Sequence, residues 1–325
     1  MADDARTQTP EQTLAWEAER RRTAGLCALA AAVLTIAGSM TTGLALSGLP
    51  DADDRVLSVL DTLGRAASGQ EAAAGRLAAQ TAYLGDHATL PILGSLLFGI
   101  GTLLLFPPMA YLFRATRARR PAFGQLALIL LAAGVVTFGV GRTVAEMARY
   151  IGASGFDGGS NSEAAEALTG STLDIAGAVW QMGLFALGFS FVIICLNAMR
   201  AGLLTRFMGI LGVIVGATFV LPLDQQGIIR VFWIGALGAL ILRRWPSGTP
   251  RAWTEGVATP WPTQQEIREQ REAARREAAG EPAEDDAGGE GDDAPDHRLP
   301  PPARRPEPVA AAAHPSSKKR KRKRR

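Results

Sequence analysis

Arg142, Glu146, Asp174, Gln181 and Arg230 stand in or beside long apolar runs, where side chains of these types are least expected. Glu146 comes four residues after Arg142 and three before Arg149, spacings at which a helix brings opposite charges together. Asp174 and Gln181 are seven apart and share one helical face, which Gly188 continues. Arg230 interrupts the run from Gln225 to Leu242 and leaves 12 residues before Arg243. Ionised groups at membrane depth are costly and must face a partner or water, so this set is a candidate for ligand, ion or proton handling. Two plainer roles weigh more: interfacial side chains that snorkel to water, or a structural salt bridge of Arg230 with Asp174 or Glu146.

Reaction chemistry has no comparable signal. No HExxH, GxSxG, P-loop or dinucleotide GxGxxG pattern occurs, and the glycines Gly94, Gly99 and Gly101 lie mid-run, where packing explains them better. Asp86 and His87 form an adjacent acid–base pair, but a solvated loop is the simpler reading. Three histidines (His87, His297 and His314) are too scattered for a metal cluster. Cys27 and Cys195 each lie inside an apolar run and make no CxxC pair. The expectation is a non-catalytic chain with no metal and no cofactor.

The elements that carry the polar residues are unusually plain. Uncharged stretches cover 23–50, 88–113, 121–141, 175–199 and 207–223, and the sixth, 225–242, is broken by Arg230. A helix needs roughly 20 apolar residues to cross about 30 Å of hydrocarbon. Four stretches meet that length, the fifth is at the lower limit, and the sixth spans only if Arg230 snorkels or is paired. Helices of a soluble bundle keep a charged face, which these lack. The expected fold is all-α, a six-span transmembrane helical bundle over 23–245. Its spans are at about 24–47, 88–113, 121–142, 174–199, 206–223 and 226–243. A cytoplasmic segment, 1–22, precedes it, and a cytoplasmic tail, 246–325, follows.

Flanking charge sets the direction. Arg20 to Arg22, then Arg114, Arg117, Arg119 and Arg120, then Arg200 and Arg206, then Arg243 and Arg244 all fall on one side. The alternate connections are acidic, with Asp51, Asp53, Asp54, Asp61, Glu71 and Asp86 in one and Asp157, Glu163 and Glu166 in the other. The positive-inside rule makes the arginine side cytoplasmic, with both termini there. All the polar residues above except Gln181 then lie toward the outer half. A cleaved signal peptide is the competing reading of the first run, which is longer than usual for one. Scarce lysine with abundant Arg, Ala and Gly suggests a high-GC bacterial genome, hence a bacterial cytoplasmic membrane.

The connections and small residues add detail. The first outer loop, 50–87, reads as helical, with Asp51 or Asp53 as cap and Val56, Leu60, Leu63 and Ala67 at helical spacing. Ser160 and Glu163 make a capping box, as do Thr263 and Glu266. Gly212 and Gly216 form GxxxG, and Ser95/Gly99 and Gly235/Ala239 are small-xxx-small pairs. Such stripes let helices approach closely, by default within the chain and alternatively in a homo-oligomer. Trp245, Trp253 and Trp261 suit an interfacial segment lying against lipid headgroups. A charged helix at about 263–279, an acidic linker and prolines follow, a composition that favours disorder.

The chain carries a net charge of only +3, yet it ends on eight consecutive cations: Lys318, Lys319, Arg320, Lys321, Arg322, Lys323, Arg324 and Arg325. Next to a membrane, the nearest polyanion is the lipid surface, and each such residue contributes about 1 kcal/mol there. Anionic headgroups are therefore the first expected partner, nucleic acid or the ribosome the second, and self-pairing with the acidic linker the third. No aromatic residue interleaves the run, which argues against base stacking. The stretches "NAMRAGLLTRFMGILGVIVGATFVLPL", "PRAWTEGVATPWPTQQEIREQREAARRE" and "SSKKRKRKRR" together resemble uncharacterised multi-pass membrane proteins of actinobacteria, over roughly the last 130 residues. That resemblance implies location and source and supplies no site residues. The sequence thus points first to a membrane anchor or adaptor with a polyanion-binding arm. The alternative is a small-solute or ion transporter built on the outer-half charges.

Overall fold

The computed structural model describes residues 9–50, 67–69, 75–221, 223–224, 227–246, 248–261 and 264–279. The expected helix over 51–66, the Thr263 cap, the acidic linker and the run Lys318 to Arg325 lie outside them. Among the described residues the regular structure is entirely helical. The chain divides into two units, 1–266 and 267–325, and the bundle belongs to the first.

Helix α1 (Pro10–Leu46) begins at a capping box in which Thr9 and Gln12 exchange side-chain and backbone hydrogen bonds of 3.4 and 3.1 Å. The sequence reading sets 1–22 apart from the first span. One continuous helix crosses that boundary, because 11–22 contain no glycine or proline to stop it. After α2 (Arg76–Asp86), the expected single span 88–113 is two helices, α3 (Thr89–Leu103) and α4 (Phe106–Arg119). The break at Leu104 and Leu105 has a covalent cause. Pro107 and Pro108 have no N–H to offer the preceding turn, and the chain tightens there, Leu105 N donating to Thr102 O at 3.1 Å. Pro121 ends α4 by forcing Arg120 out of helical geometry, to φ −134° and ψ 81°.

Next come α5 (Leu126–Ser154), α6 (Asn161–Ala167), α7 (Ser171–Arg200), α8 (Arg206–Val220) and α9 (Ile228–Ile241). The four-residue α10 (Ala252–Glu255) and the 16-residue α11 (Gln264–Ala279) complete the order. The capping box read at Ser160 and Glu163 does start α6, with Ser160 N donating to Glu163 Oε2 at 2.7 Å. Four helical stretches are long and apolar enough to cross a membrane: α1, the α3–α4 pair, α5 and α7. Helices α8 and α9 have 15 and 14 residues. At 1.5 Å per residue these are about 22 and 21 Å long, short of the hydrocarbon thickness.

Packing orders the long elements into a closed ring of α1, α3, α5, α7, α8 and α9, with α9 packed back on α1. Glycine allows the closest approaches. Gly38 of α1 meets the backbone of Gly94 and Phe98 on α3, and Gly134 and Gly141 of α5 meet the backbone of Leu187 and Trp180 on α7. The GxxxG pair is used within the chain, Gly212 against Cys195 and Gly216 against Val192, both on α7. Gly99 of the second small-residue pair likewise faces Thr143 of α5. Phe98, Phe138, Phe219, Phe191 and Trp233 form a continuous aromatic chain through the centre, with ring centroids 5.3–6.0 Å apart. Leu26, Val33, Leu44, Ile129, Met182 and Phe189 are exposed on the outside. An apolar exterior on helices of this length is what contact with hydrocarbon requires.

Candidate functional site

Two places gather polar side chains, one toward each end of the bundle. At the end of the acidic connections, Arg142 of α5 sits with its guanidinium carbon 4.0 Å from the Phe98 ring centroid and 5.9 Å from that of Trp180. Arg230, in the first turn of α9, lies 4.1 Å over Phe219, and its backbone N–H donates to Asp224 at 3.1 Å. Both cations therefore rest on faces of aromatic rings, a contact that strengthens when water is excluded. The two are near enough to repel each other, while Glu146 attracts Arg142 and Asp224 attracts Arg230.

This differs from the expected arrangement. Asp174 and Gln181 do share a face of α7, but both are exposed, so that stretch of the face looks away from the bundle, whereas Gly188, which continues it, is buried against Gly216 of α8. The face α7 buries carries Ala176, Gly183 and Leu187 instead, because the glycines of α5 demand a smooth partner. Arg230 finds its carboxylate in Asp224, six residues before it, where the sequence reading proposes Asp174 or Glu146. The Arg230 Nε and the Trp180 indole N–H are both covered without a hydrogen-bond partner.

The arginine end is more elaborate, and no local motif in the sequence announces it. Glu17 and Arg119 form an ion pair there, with side chains 2% and 0% exposed. All five guanidinium N–H groups of Arg119 are used. Nη1 donates to Glu17 Oε1 and, at 2.9 Å, to Ala115 O; Nη2 donates to Glu17 Oε2 at 3.3 Å and to Ala252 O at 2.6 Å; Nε donates to Ala252 O at 3.2 Å. Ala252 belongs to the segment after the last apolar helix, so this arginine ties α1, α4 and the C-terminal arm together.

Residues 248–261 of that arm fold back across the bundle end. The sequence reading lays Trp253 and Trp261 against headgroups, but Trp253 is buried in protein. Its indole donates to Leu203 O at 2.8 Å, and the Trp261 indole donates to Leu204 O at 2.8 Å. Tyr111 is stacked between Trp16 and Trp253, with centroids 5.4 and 5.6 Å away. The receiving surface is the α7–α8 turn. Its Gly202, at φ +78°, closes a helix-ending motif in which Leu203 N donates to Ala198 O at 2.9 Å. A side chain on Gly202 would collide with Thr259 O of the arm. At the end of α9, Arg243 occupies left-handed backbone, φ +58°, uncommon for a residue with a side chain. From there its Nη2 reaches Trp253 O at 3.2 Å. The arm is thereby fastened to α4, to the α7–α8 turn and to the segment that leaves α9.

Beside the arm is a cavity of about 590 Å³ lined by Arg120, Met199, Arg200, Arg206, Ile210 and Trp261. Arg120 also lines a second cavity of about 320 Å³ with Phe123, Ile193 and Asn197. Comparison of the chain with family models, curated proteins and solved structures finds no match.

Proposed function

We propose that the chain is a six-span membrane anchor of the bacterial cytoplasmic membrane whose work is done by its C-terminal arm. The bundle holds the arm's root rigidly at the inner face, and the terminal cations Lys318 to Arg325 engage anionic headgroups. The observation that carries this reading is the Arg119 lock. A buried ion pair, four indole or guanidinium bonds to backbone carbonyls and a stacked aromatic triplet all go to fixing residues 248–261, which lie outside the apolar helices. In this reading α8 and α9 complete six spans, the Arg230 charge in the first turn of the short α9 being accommodated over the Phe219 ring, with Asp224 beside it. The arginine collar faces inward by the positive-inside rule. The resemblance to actinobacterial multi-pass proteins agrees with this location.

The test uses the full chain in nanodiscs of neutral lipid, mixed with sedimenting vesicles of phosphatidylglycerol or of phosphatidylcholine. Capture should favour the anionic vesicles at least tenfold, fall steeply between 50 and about 300 mM salt, and vanish when the eight terminal cations are replaced by glutamine. Equal capture by both vesicle types would overturn the lipid role of the arm. Transport is the second reading, resting on the two aromatic-seated arginines of α5 and α9. Flux of a small anion through proteoliposomes, abolished by Arg142→Gln, would favour it over the anchor.

A further inference from the structure

We infer that the bundle has a second, built-in lipid site: the cavity between α4, α7, α8 and the arm binds the phosphate headgroup of one anionic phospholipid. The inference rests on the reading that this end meets the inner leaflet, but it does not involve the terminal cations. Three arginines, Arg120 at the end of α4 and Arg200 and Arg206 on either side of the α7–α8 turn, converge on this one cavity, whose remaining walls are apolar: Met199, Ile210 and Trp261. That combination suits an amphiphile with a phosphate at one end and a hydrocarbon chain at the other, since guanidinium forks match phosphate oxygens. Basic pockets between membrane helices on the cytoplasmic side bind such headgroups.

Arg120 supplies the sharpest observation. Its neighbour Arg119 has every donor satisfied by protein, whereas Nη1 of Arg120 is covered and has no hydrogen-bond partner. A buried donor left in that condition is unfavourable and calls for an acceptor. Arg120 lies between the two cavities, and a change of its terminal torsions toward the larger one pairs the donor with a phosphate oxygen. Depth is set by Trp261, which is 39% exposed and pinned through its indole to Leu204 O. A tryptophan with an apolar body and a bonded N–H belongs at headgroup level. Ile210, exposed on α8 below the arginines, continues the apolar wall along which an acyl chain can lie.

The experiment is native mass spectrometry and thermal melting of the full detergent-solubilised chain. The probes are dioleoyl phosphatidylglycerol, dioleoyl phosphatidylcholine and inorganic phosphate. One phosphatidylglycerol per chain should be retained and should raise the melting temperature, with at least tenfold weaker retention of phosphatidylcholine. Arg120→Gln should reduce retention at least tenfold. Ile210→Trp keeps every arginine and fills the acyl side of the cavity, so it should do the same without disturbing the fold. Removing Lys318 to Arg325 should leave retention unchanged, which separates this site from the arm's own lipid binding. An equal shift from inorganic phosphate overturns the lipid assignment. Retention that survives both Arg120→Gln and Ile210→Trp overturns the site.

Discussion

Replacing Arg119 by methionine should cost about 3–5 kcal/mol of stability and free the C-terminal arm, because it strands the Glu17 carboxylate in a place water does not reach. In the intact protein that carboxylate is satisfied by two nitrogens of one guanidinium, and the same guanidinium supplies both bonds to Ala252 O. The arm should then open from Ala252 toward Trp261, losing the Tyr111 stack as it goes. Melting of the solubilised protein, followed by tryptophan fluorescence, measures the first effect; tryptic cleavage at Arg251 measures the second. Arg119→Lys should not rescue the arm. One ammonium has three donors from a single point and cannot reach Glu17, Ala115 and Ala252 together. The double variant Glu17→Leu with Arg119→Met should recover most of the lost stability, since a buried pair can give way to apolar side chains with little penalty. Melting and cleavage of Arg119→Met that match the parent protein would show that the pair does not hold the arm.

The same lock explains where sequence reasoning reaches its limit. Apolar runs are written locally, so α1, α5 and α7 are legible from charge-free length, and the Ser160 box from a four-residue pattern. The break between α3 and α4 is equally local, for Pro107 and Pro108 announce it, although length alone suggests one span. Glu17 and Arg119 are 102 residues apart, and Arg119 and Ala252 are 133 apart. Nothing near Arg119 distinguishes it from the collar of arginines around it, where a charge count treats all alike. Only the folded end of the bundle separates Arg119, saturated by protein, from Arg120, which lines two cavities. Asp174 and Gln181 show the complementary failure. Their common face follows from helical period, but its outward direction is decided by Gly134 and Gly141 on another helix.

That α5–α7 contact supplies the other large effect, a leucine at Gly183. A β-carbon there would come within 2.7 Å of both the Phe138 Cα and the Thr137 Oγ1, and it would crowd the Phe138 backbone nitrogen more closely still. Backbone of a long helix cannot step aside as a flexible side chain can, so the two axes must part. Their separation would also loosen the approaches of Gly134 to Leu187 and Gly141 to Trp180. Close helix–helix dispersion contact drives association where lipid removes the hydrophobic contribution, so its loss is not offset elsewhere. Gly183→Leu should therefore cost about 3 kcal/mol, the upper part of the usual range for overpacking. Gly177, nearly two turns earlier on the same helix, gives the control. A β-carbon on Gly177 would meet nothing within 4 Å, and its substitution by alanine should stabilise α7 by about 0.5–1 kcal/mol through backbone entropy alone. Melting temperatures of the two variants in one detergent should thus move in opposite directions. A common shift of the same sign would mean that α5 and α7 are not held at glycine distance.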